Sequence, residues 1–346
     1  MTVTVTVTEE QEDAGRAATS TSLDSTNVLI PWPTVKPSAL CSIGRLVIFG
    51  GGYTGLRVGR ALDALGVPVT LTHRQPSAPA ALTPGHWLCF DAATGAIPGA
   101  ADLAGMTHAL VTIPPNAQGL DPVLSDLLPL MRQAAPLWVG VLSTTGVYGD
   151  HGGQWVREGG ALRPTPGRSQ ARLRCERAWQ ESGLPLQIFR LPAIYGPGRS
   201  PFAALREGRA RLIHKPGQVF SRIHVDDIVG ALLHCLSLPA KARPALLNLA
   251  DREPCPSSET LGYAAHLLGC KLPPVERFAD VADSLSPMAR SFWLENRRTD
   301  SQRLREDLGY PLRYPSYREG YRQGCAPDWT AQAPSAAKGW TDSAAG

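Results

Sequence analysis

Three glycines at fixed spacing carry the clearest chemical signal in the sequence. They form the pattern G-x-G-x-x-G between a short apolar run rich in β-branched residues and a segment whose apolar residues recur at helical spacing. In a strand, turn and helix, the first glycine permits a tight turn, the second lets a diphosphate approach the backbone, and the third allows close packing. The helix start offers amides and a positive dipole end to that phosphate. The pattern predicts a dinucleotide site rather than a turn that serves packing alone, with the candidate residues Gly50, Gly52, Tyr53, Thr54 and Gly55.

The end of the second predicted strand indicates which coenzyme this turn would hold. A site that prefers NAD usually has an acidic residue here, which bonds the ribose 2′-hydroxyl and repels a 2′-phosphate. This chain has no carboxylate at that point, and Arg74 supplies a cation. We therefore predict NADP, with NAD less favoured, unless Arg74 is simply a solvated loop residue. Asp91, after the third strand, either reaches the adenine or caps the next turn.

Hydroxyl groups follow the fifth predicted strand, at Ser143, Thr144 and Thr145. Ligands bind at the carboxyl ends of the strands in open parallel sheets, so these side chains are candidates for the reacting site.

Four ordered motifs resemble those of one protein family. Ser143-Thr144, with Val147-Tyr148-Gly149, matches the pattern Ser-Ser-x-x-Val-Tyr-Gly of the extended short-chain dehydrogenase/reductases, which include nucleotide-sugar epimerases and dehydratases. The resemblance spans roughly residues 45–320 and implies a Rossmann-type sheet with a smaller C-terminal lobe that closes over a substrate. The other motifs are Arg190 to Gly198, Ile223 to Asp227 and Leu308 to Pro311.

The family's catalytic Tyr-x-x-x-Lys pair is missing. With Glu176 as the point of register, Arg168 stands at the tyrosine position and Arg172 at the lysine position. A guanidinium stays protonated and cannot act as a general base. Arg172 either binds the nicotinamide ribose, as the family's lysine does, or is a surface cation that faces Glu176. Two other family residues are also replaced. Phe49 stands where the family has the first glycine of its pattern, and Ala193 stands where it has an asparagine that contacts the substrate. The chain therefore resembles an atypical branch of the family.

Thr144 is the first candidate for catalysis, because it aligns with the family hydroxyl that bonds the substrate oxygen. Ser143 is its neighbour on the same strand end. Tyr148 is a candidate substitute acid, although its ring packs below the site in most of the family. His151 has the position of an exposed loop histidine, and His224 that of a hydrogen-bonded core histidine.

A basic segment between Arg199 and Arg222 predicts contact with an anionic substrate. It contains six cationic residues and a single acid, Glu207. The resemblance places this region in the lobe that grips a nucleotide diphosphate, and arginine suits bidentate phosphate contacts. Arg222 lies two residues after the family's phosphate arginine position, on the same face if this is a strand. Arg199 and Arg222 are therefore the substrate candidates, and a solvated basic face is the alternative.

Composition restricts the other partners. A formal charge of +4 over 346 residues does not indicate nucleic acid. Seven widely spaced cysteines without a C-x-x-C motif predict reduced thiols, no metal site and no disulfides. No apolar run has transmembrane length and no signal peptide is evident, so we expect a cytoplasmic protein away from membranes. A second copy of the chain, in a homodimer, is a further candidate partner.

Strand and helix patterns alternate from residue 45 onward, which predicts an α/β fold with a doubly wound parallel sheet. We expect a disordered extension over 1–43, a Rossmann domain over 44–190 that includes 220–250, a substrate lobe from 191–219 and 251–325, and a flexible tail over 326–346. Predicted strands are Leu46–Phe49, Val67–Thr72, Trp87–Phe90, Ala109–Ile113, Trp138–Leu142, Leu186–Phe189 and Leu246–Leu249. Predicted helices are Leu56–Leu65, Pro122–Ala134, Ser169–Glu181, Asp226–Ser237, Ser257–Leu268 and Thr299–Leu308.

Two functions fit these features. The first is an NADP-dependent oxidoreductase or epimerase that acts on a small polar substrate, with nucleotide sugars among the candidates. The second is a non-catalytic NADP-binding protein with a regulatory or redox-sensing role, which the missing Tyr-x-x-x-Lys pair favours.

Overall fold

A sheet of seven parallel strands forms the centre of the molecule. The computed structural model describes residues 32–75 and 87–324. The strands are β1 (Leu46–Phe49), β2 (Val69–His73), β3 (Trp87–Cys89), β4 (His108–Val111), β5 (Trp138–Thr144), β6 (Trp155–Val156), β7 (Leu186–Leu191), β8 (Ala193–Tyr195), β9 (Leu212–His214), β10 (Arg222–His224), β11 (Leu246–Asn248), β12 (Val275–Arg277) and β13 (Arg298–Thr299). The α-helices are α1 (Pro37–Leu40), α2 (Tyr53–Asp63), α3 (Pro122–Ala134), α4 (Arg168–Gln180), α5 (Phe202–Arg206), α6 (Val225–Ser237), α7 (Ser257–Leu268), α8 (Phe278–Val281), α9 (Pro287–Leu294) and α10 (Tyr317–Gly324).

The strand order across the sheet is β11-β7-β5-β4-β1-β2-β3. The chain leaves β1 toward β2 on one side and later returns to β4 on the other side. The carboxyl ends of β1, β4 and β5 therefore border the crevice where a parallel sheet binds its ligands.

Burial on both faces explains why these short segments form strands. Every residue of β1 and β4 is buried, as expected for a parallel sheet that helices cover on both sides. Helices α3 and α4 cover one face through a core that contains Phe49, Leu127, Met131, Val139 and Trp179.

The sequence correctly predicts all seven strands of the main sheet and five of the six proposed helices, within a few residues at each end. The helix predicted over Thr299–Leu308 is wrong. Thr299 instead ends strand β13, which pairs with β6, and the helical part is a single π-helical turn over Arg303–Asp307. The backbone amide of Thr299 donates to Ser221 Oγ at 2.8 Å, so tertiary pairing holds this residue in an extended conformation.

The disorder predicted for 1–43 is wrong for residues 32–43. Trp32, Val35 and Leu40 are buried, and Trp32 Nε1 donates to the backbone oxygen of Asp226 at 3.0 Å. These apolar side chains are anchored on α6, a contact that local composition does not reveal. The remainder of the predicted extension and the tail over 326–346 lie outside the described residues.

A second core lies among α5, α7 and α10. It contains Phe202, Leu205, Leu261, Tyr317 and Tyr321. Beside it, three two-stranded parallel pairs (β8 with β10, β9 with β12, β6 with β13) connect the C-terminal segments to loops that follow the main strands.

The outer strand β11 has polar partners at Asn248, on its free edge. The carboxylate of Glu158 accepts from the amide of Asn248 at 2.9 Å, and Asn248 Nδ2 donates to the backbone oxygen of Asp300 at 3.1 Å. In the described part of the chain, no helix is both long and apolar enough to cross a membrane.

Candidate functional site

The glycine turn between β1 and α2 borders open space at one position only. A Cβ atom at Gly55 would lie 2.0 Å from the backbone oxygen of Gly50, so Gly55 is required for close packing. Gly50 has φ +108° and a Cβ there would lie 2.4 Å from Thr112 Oγ1. At Gly52, φ is −79° and a Cβ would meet nothing within 4 Å. Packing therefore explains Gly50 and Gly55, whereas Gly52 faces a space that a ligand can fill.

The turn is anchored so that the start of α2 points at that space. Thr72 on β2 accepts from Gly50 N through its hydroxyl at 3.0 Å and from Gly51 N through its backbone oxygen at 2.8 Å. Helix α2 begins at Tyr53 and has no side-chain cap. Its first amides therefore have no intrahelical acceptor and are available to an anion, as a dinucleotide diphosphate requires.

Tyr53, the first residue of α2, is contacted by two arginines. The guanidinium carbon of Arg57 lies 4.5 Å from the ring centroid, and that of Arg199 lies 4.2 Å from it. Burial raises the pKa of the Tyr53 phenol to about 12 despite these two cations. The contact joins the glycine turn to the loop after β8, which carries Arg199.

Arg74 and Asp91 lie beyond the ends of β2 and β3. Arg74 is exposed immediately after β2, where a ribose phosphate could reach it. Asp91 Oδ1 accepts from the amide of Ala93 at 3.1 Å, and Asp91 forms a backbone bridge to Ala96. Asp91 thus caps this turn, and its contact with the adenine stays a prediction.

A cleft of about 360 Å³ opens beyond the carboxyl end of β5. Its walls come from distant parts of the chain: the strand ends of β5 and β7, the start of α4, the loop after β8, and the segment from α9 to β13. The side chains used below are Thr144, Arg168, Arg199, Glu295, Arg297 and Thr299.

Thr144 has the geometry of a donor to a bound oxygen. Its hydroxyl accepts from the amide of Gly146 at 3.1 Å, and the residue lines the cleft. A hydroxyl has one proton to donate and can accept two hydrogen bonds. The hydroxyl of Thr144 can therefore donate its proton to a ligand while the amide of Gly146 fixes the oxygen.

Ser143 is turned away from the cleft, so its assignment to catalysis is wrong. Its side chain is buried and donates to Glu176 Oε1, and Glu176 also pairs with Arg190, whose Nη2 lies 2.7 Å from Oε2. Successive strand residues face opposite sides, which explains why Ser143 and Thr144 separate.

Tyr148 is also not placed for catalysis. It is completely buried, its hydroxyl donates to Asn248 Oδ1 at 2.8 Å, and the guanidinium of Arg190 lies 4.8 Å from its ring centroid. Burial raises the pKa of the phenol. The ring supports the site from below, which is the alternative that the resemblance implies.

The two arginines at the family's tyrosine and lysine positions have different surroundings. Arg168 is exposed at the rim of the cleft, with its guanidinium 5.8 Å from the ring centroid of Phe292. Arg172 is partly buried on α4, and its Nη1 donates to the backbone oxygen of Leu142 at 3.3 Å. Burial lowers the pKa of Arg172, with a further contribution from Arg168. The carboxylate of Glu176, the partner considered for Arg172, is instead bonded to Ser143 and Arg190.

Arg222 does not reach the cleft, so its assignment to the substrate is wrong. It is buried on β10, and its Nη1 donates to the backbone oxygens of Phe220 at 2.9 Å and Cys255 at 3.2 Å. Strand β10 begins at Arg222 itself, so the alternation that was expected to relate it to Phe220 does not apply.

The histidines considered in the sequence have structural roles. His224 is buried at the start of α6, its Nδ1 accepts from the amide of Asp226 at 3.1 Å, and burial lowers its pKa to about 3. His151 Nε2 lies 3.2 Å and 3.1 Å from two backbone oxygens, those of Tyr148 and Ala161. Within the described ranges, no group of three or more His, Cys, Asp or Glu could hold a metal ion.

Sequence reasoning missed one wall of the cleft. Glu295, Arg297 and Thr299 all line it. Their spacing by two residues is a weak strand signal, and the helix predicted from Thr299 concealed it.

Searches with protein-family models and among curated proteins gave no match. A search of solved structures gave many. A functionally unknown conserved protein from Silicibacter pomeroyi is 42% identical, with a TM-score of 0.75 over 84% of this chain and 99% of that chain. MoeE5, in complex with UDP-glucuronic acid and NAD, is 20% identical, with a TM-score of 0.67 over 83% of this chain and 99% of that chain. The human epimerase family protein SDR39U1, with NADPH, is 19% identical, with a TM-score of 0.60 over 81% of this chain and 98% of that chain.

Identity at the level of the Silicibacter protein, over nearly all of that chain, establishes common family membership, whereas the likeness to MoeE5 and SDR39U1 concerns the fold. The chain therefore belongs to the same family as the Silicibacter pomeroyi protein, and it has the Rossmann fold of the epimerase/dehydratase-like, extended short-chain dehydrogenase/reductases that its motifs predict.

Proposed function

We propose that this protein is an NADP-dependent oxidoreductase or epimerase that acts on a small, polar, anionic substrate. The observation that carries the proposal is the combination of Gly52, which borders open space at the start of α2, with a cleft beyond the end of β5. The coenzyme would supply a hydride acceptor or donor between these two places.

Residues in different parts of the site would bind different groups of the coenzyme and the substrate. The glycine turn and the first amides of α2 would hold the diphosphate, and Arg74 would bind the 2′-phosphate of NADP. Arg172, partly buried on α4, is the candidate for the nicotinamide ribose. Thr144 would donate its free proton to the reacting oxygen, and Arg199 would attract the negative charge of the substrate. The NADPH bound by SDR39U1, which shares the fold, supports the choice of NADP as coenzyme. The UDP-glucuronic acid bound by MoeE5 supports an anionic compound as the substrate.

The proton donor in this proposal differs from the catalytic tyrosine of the extended short-chain dehydrogenase/reductases. A guanidinium, the group that Arg168 and Arg172 supply, does not serve as a general acid or base, and the hydroxyl of Tyr148 is already bonded to Asn248. A group on the substrate or a water molecule would therefore exchange the proton.

Coenzyme binding by the glycine turn is tested with Gly52→Asp. The new carboxylate would occupy the open space and repel the diphosphate, so calorimetry should show no NADPH binding by this variant. Gly262→Asp is the matched control, because Gly262 also borders open space but lies on α7. Equal NADPH affinity in Gly52→Asp and wild type would refute the assignment.

A second candidate is a non-catalytic NADP-binding protein with a regulatory or redox-sensing role. The replacement of the Tyr-x-x-x-Lys pair by Arg168 and Arg172 favours it. It predicts tight NADPH binding without consumption of the coenzyme, whereas an enzyme should consume NADPH or NADP when its substrate is supplied.

A further inference from the structure

The segment between α9 and β13 forms a wall of the cleft with a repeating pattern. Glu295, Arg297 and Thr299 line the cleft. The intervening residues contact the opposite side: Asn296 Nδ2 donates to the backbone oxygen of Gly217 at 2.9 Å, and Arg298 donates to that of Gly153. This alternation is that of an extended strand, which presents every second side chain to the same space.

The first two side chains of this wall form a neutral unit. Glu295 Oε1 accepts from the hydroxyl of Thr165 at 2.6 Å, and Oε2 lies 2.6 Å from Arg297 Nη1. The same Nη1 donates to the backbone oxygen of Gly149 at 2.9 Å. The charge of Arg297 is thus balanced within the protein.

Two polar atoms of the wall remain without a partner. Arg297 Nε and Thr299 Oγ1 are buried and make no hydrogen bond within the part of the chain that the structure describes. Thr299 is only 1% exposed. Buried polar groups are almost always bonded, and these two atoms belong to side chains on one wall of the cleft, so a ligand there is a candidate partner for both. Because the charges of Glu295 and Arg297 cancel, an uncharged oxygen of the ligand suits Arg297 Nε and Thr299 Oγ1.

Positive charge is available elsewhere along the cleft. Arg168 and Arg199 are exposed and have no salt bridge to a described residue; their guanidinium groups lie over the rings of Phe292 and Tyr53, respectively. These cations can take an anionic group. The cleft volume of about 360 Å³ lies near the lower end of the range of ligand pockets, which favours a compact ligand.

We infer that the cleft binds a small polyhydroxylated anion, such as a sugar phosphate or a sugar acid. Thr299 and Arg297 bond an uncharged hydroxyl or carbonyl oxygen of this compound, while Arg168 and Arg199 bind its phosphate or carboxylate. The inference rests on the proposed function and narrows its substrate class to compounds without an attached nucleotide.

The first test measures the unfolding of the ligand-free protein. Thr299→Val keeps the shape of the side chain and removes a hydroxyl that has no protein partner, so its free energy of unfolding should equal or exceed that of wild type. Thr70→Val is the matched control, because the buried Thr70 hydroxyl accepts from Arg45 Nε at 3.2 Å and Nη2 at 3.0 Å and its loss should destabilise the protein. A loss of stability in Thr299→Val would show that its hydroxyl has a structural role and would overturn the inference.

The second test measures ligand binding in the presence of NADP. Calorimetry of wild type uses D-glucose 1-phosphate, D-glucose 6-phosphate and D-gluconate, with UDP-glucose as the comparison compound that carries a nucleotide. At least one of the first three probes should bind. Thr299→Val should weaken that binding by about tenfold, the value of one hydrogen bond, whereas Thr70→Val should not change it. Binding of none of the three, binding of UDP-glucose alone, or equal affinity in Thr299→Val would each overturn the inference. Failure of wild type to bind NADP or NADPH is a separate result, which would refute the proposed function.

Discussion

Two neighbouring hydroxyls at the end of β5 face opposite sides of the sheet. Thr144 faces the cleft with a free proton, whereas Ser143 donates to the buried Glu176. Strand alternation separates them, so the hydroxyl motif supplies one group to the ligand and one to the support beneath it. The site is thus held from below by an ion pair, Glu176 with Arg190, whose side chains are 2% and 3% exposed.

Thr144→Val tests the role of the free hydroxyl. If Thr144 bonds the reacting oxygen, turnover should fall by about a hundredfold, as when one donor is removed from an oxyanion site, while NADPH affinity is unchanged. Turnover is followed by NADPH absorbance with the probe that binds best. Thr260→Val, which alters a hydroxyl bonded to Ser257 within α7, should keep full turnover. Full activity in Thr144→Val would remove Thr144 from the reaction.

Arg74→Ala tests coenzyme choice. The loss of a charged hydrogen bond to the 2′-phosphate should weaken NADPH binding by about ten- to a hundredfold and leave NADH binding unchanged. Arg60→Ala, which removes an exposed cation from the last turn of α2, is the control for a general charge effect. Similar losses for both coenzymes in Arg74→Ala would show that this arginine does not distinguish them.

Glu176→Gln tests the buried support. The change leaves the guanidinium of Arg190 buried without its counter-charge, which should lower the free energy of unfolding by about 3–5 kcal/mol in urea denaturation. The exposed pair of Arg209 and Glu207, with side chains 66% and 52% exposed, provides the comparison. Glu207→Gln should change stability by less than about 1 kcal/mol. A small effect in both variants would mean that the buried pair is not a support.

At the scale of elements, the local sequence predicts the ends of a helix correctly where a cap or a turn fixes them. Helix α3 begins at Pro122 because Asp121 accepts from the amide of Val123, and α7 ends before Gly269, which has φ +62°. Both helices match the prediction at each end. Strand β13 has only two residues and depends on pairing with β6, more than 140 positions earlier in the chain, so the local spacing gives only a weak signal for it.

The same distinction applies to the site. The glycine turn is a local feature and was found in the sequence with its strand and helix. The cleft is not local, because Thr144, Arg199 and Thr299 come together only through the sheet and the strand pair β6–β13. Arg222 was misplaced for the same reason: its burial against the carbonyls of Phe220 and Cys255 depends on a contact across 33 positions of sequence.

At the scale of the whole molecule, the burial of His108 makes stability depend on pH. His108 on β4 is 5% exposed, its Nδ1 lies 2.9 Å from Thr107 Oγ1, and burial, with a contribution from Arg243, lowers its pKa from 6.5 to about 4. Between these values the unfolded chain binds a proton that the folded protein excludes. The stability that neutral His108 provides is therefore fully present above pH 6.5 and is lost as the pH falls toward 4.

His108→Gln should make the pH dependence of unfolding shallower in this window, by at most about 1.4 kcal/mol per pH unit. Urea denaturation of wild type and variant at several pH values between 4 and 7 gives the two slopes. Identical slopes would show that the imidazole of His108 titrates alike in the folded and unfolded states.

The carboxylate of Glu158 on the backbone of β11 also bears on whether a foreign strand could extend the sheet at this edge. An outer strand with free amides is a template onto which a foreign strand can add, and it is a common origin of aggregation. Here one such amide is already bonded to Glu158, and the side chain of Asn248 is bonded to Asp300. A strand that added to β11 at Asn248 would first have to break these bonds, so this edge of the sheet is protected against extension.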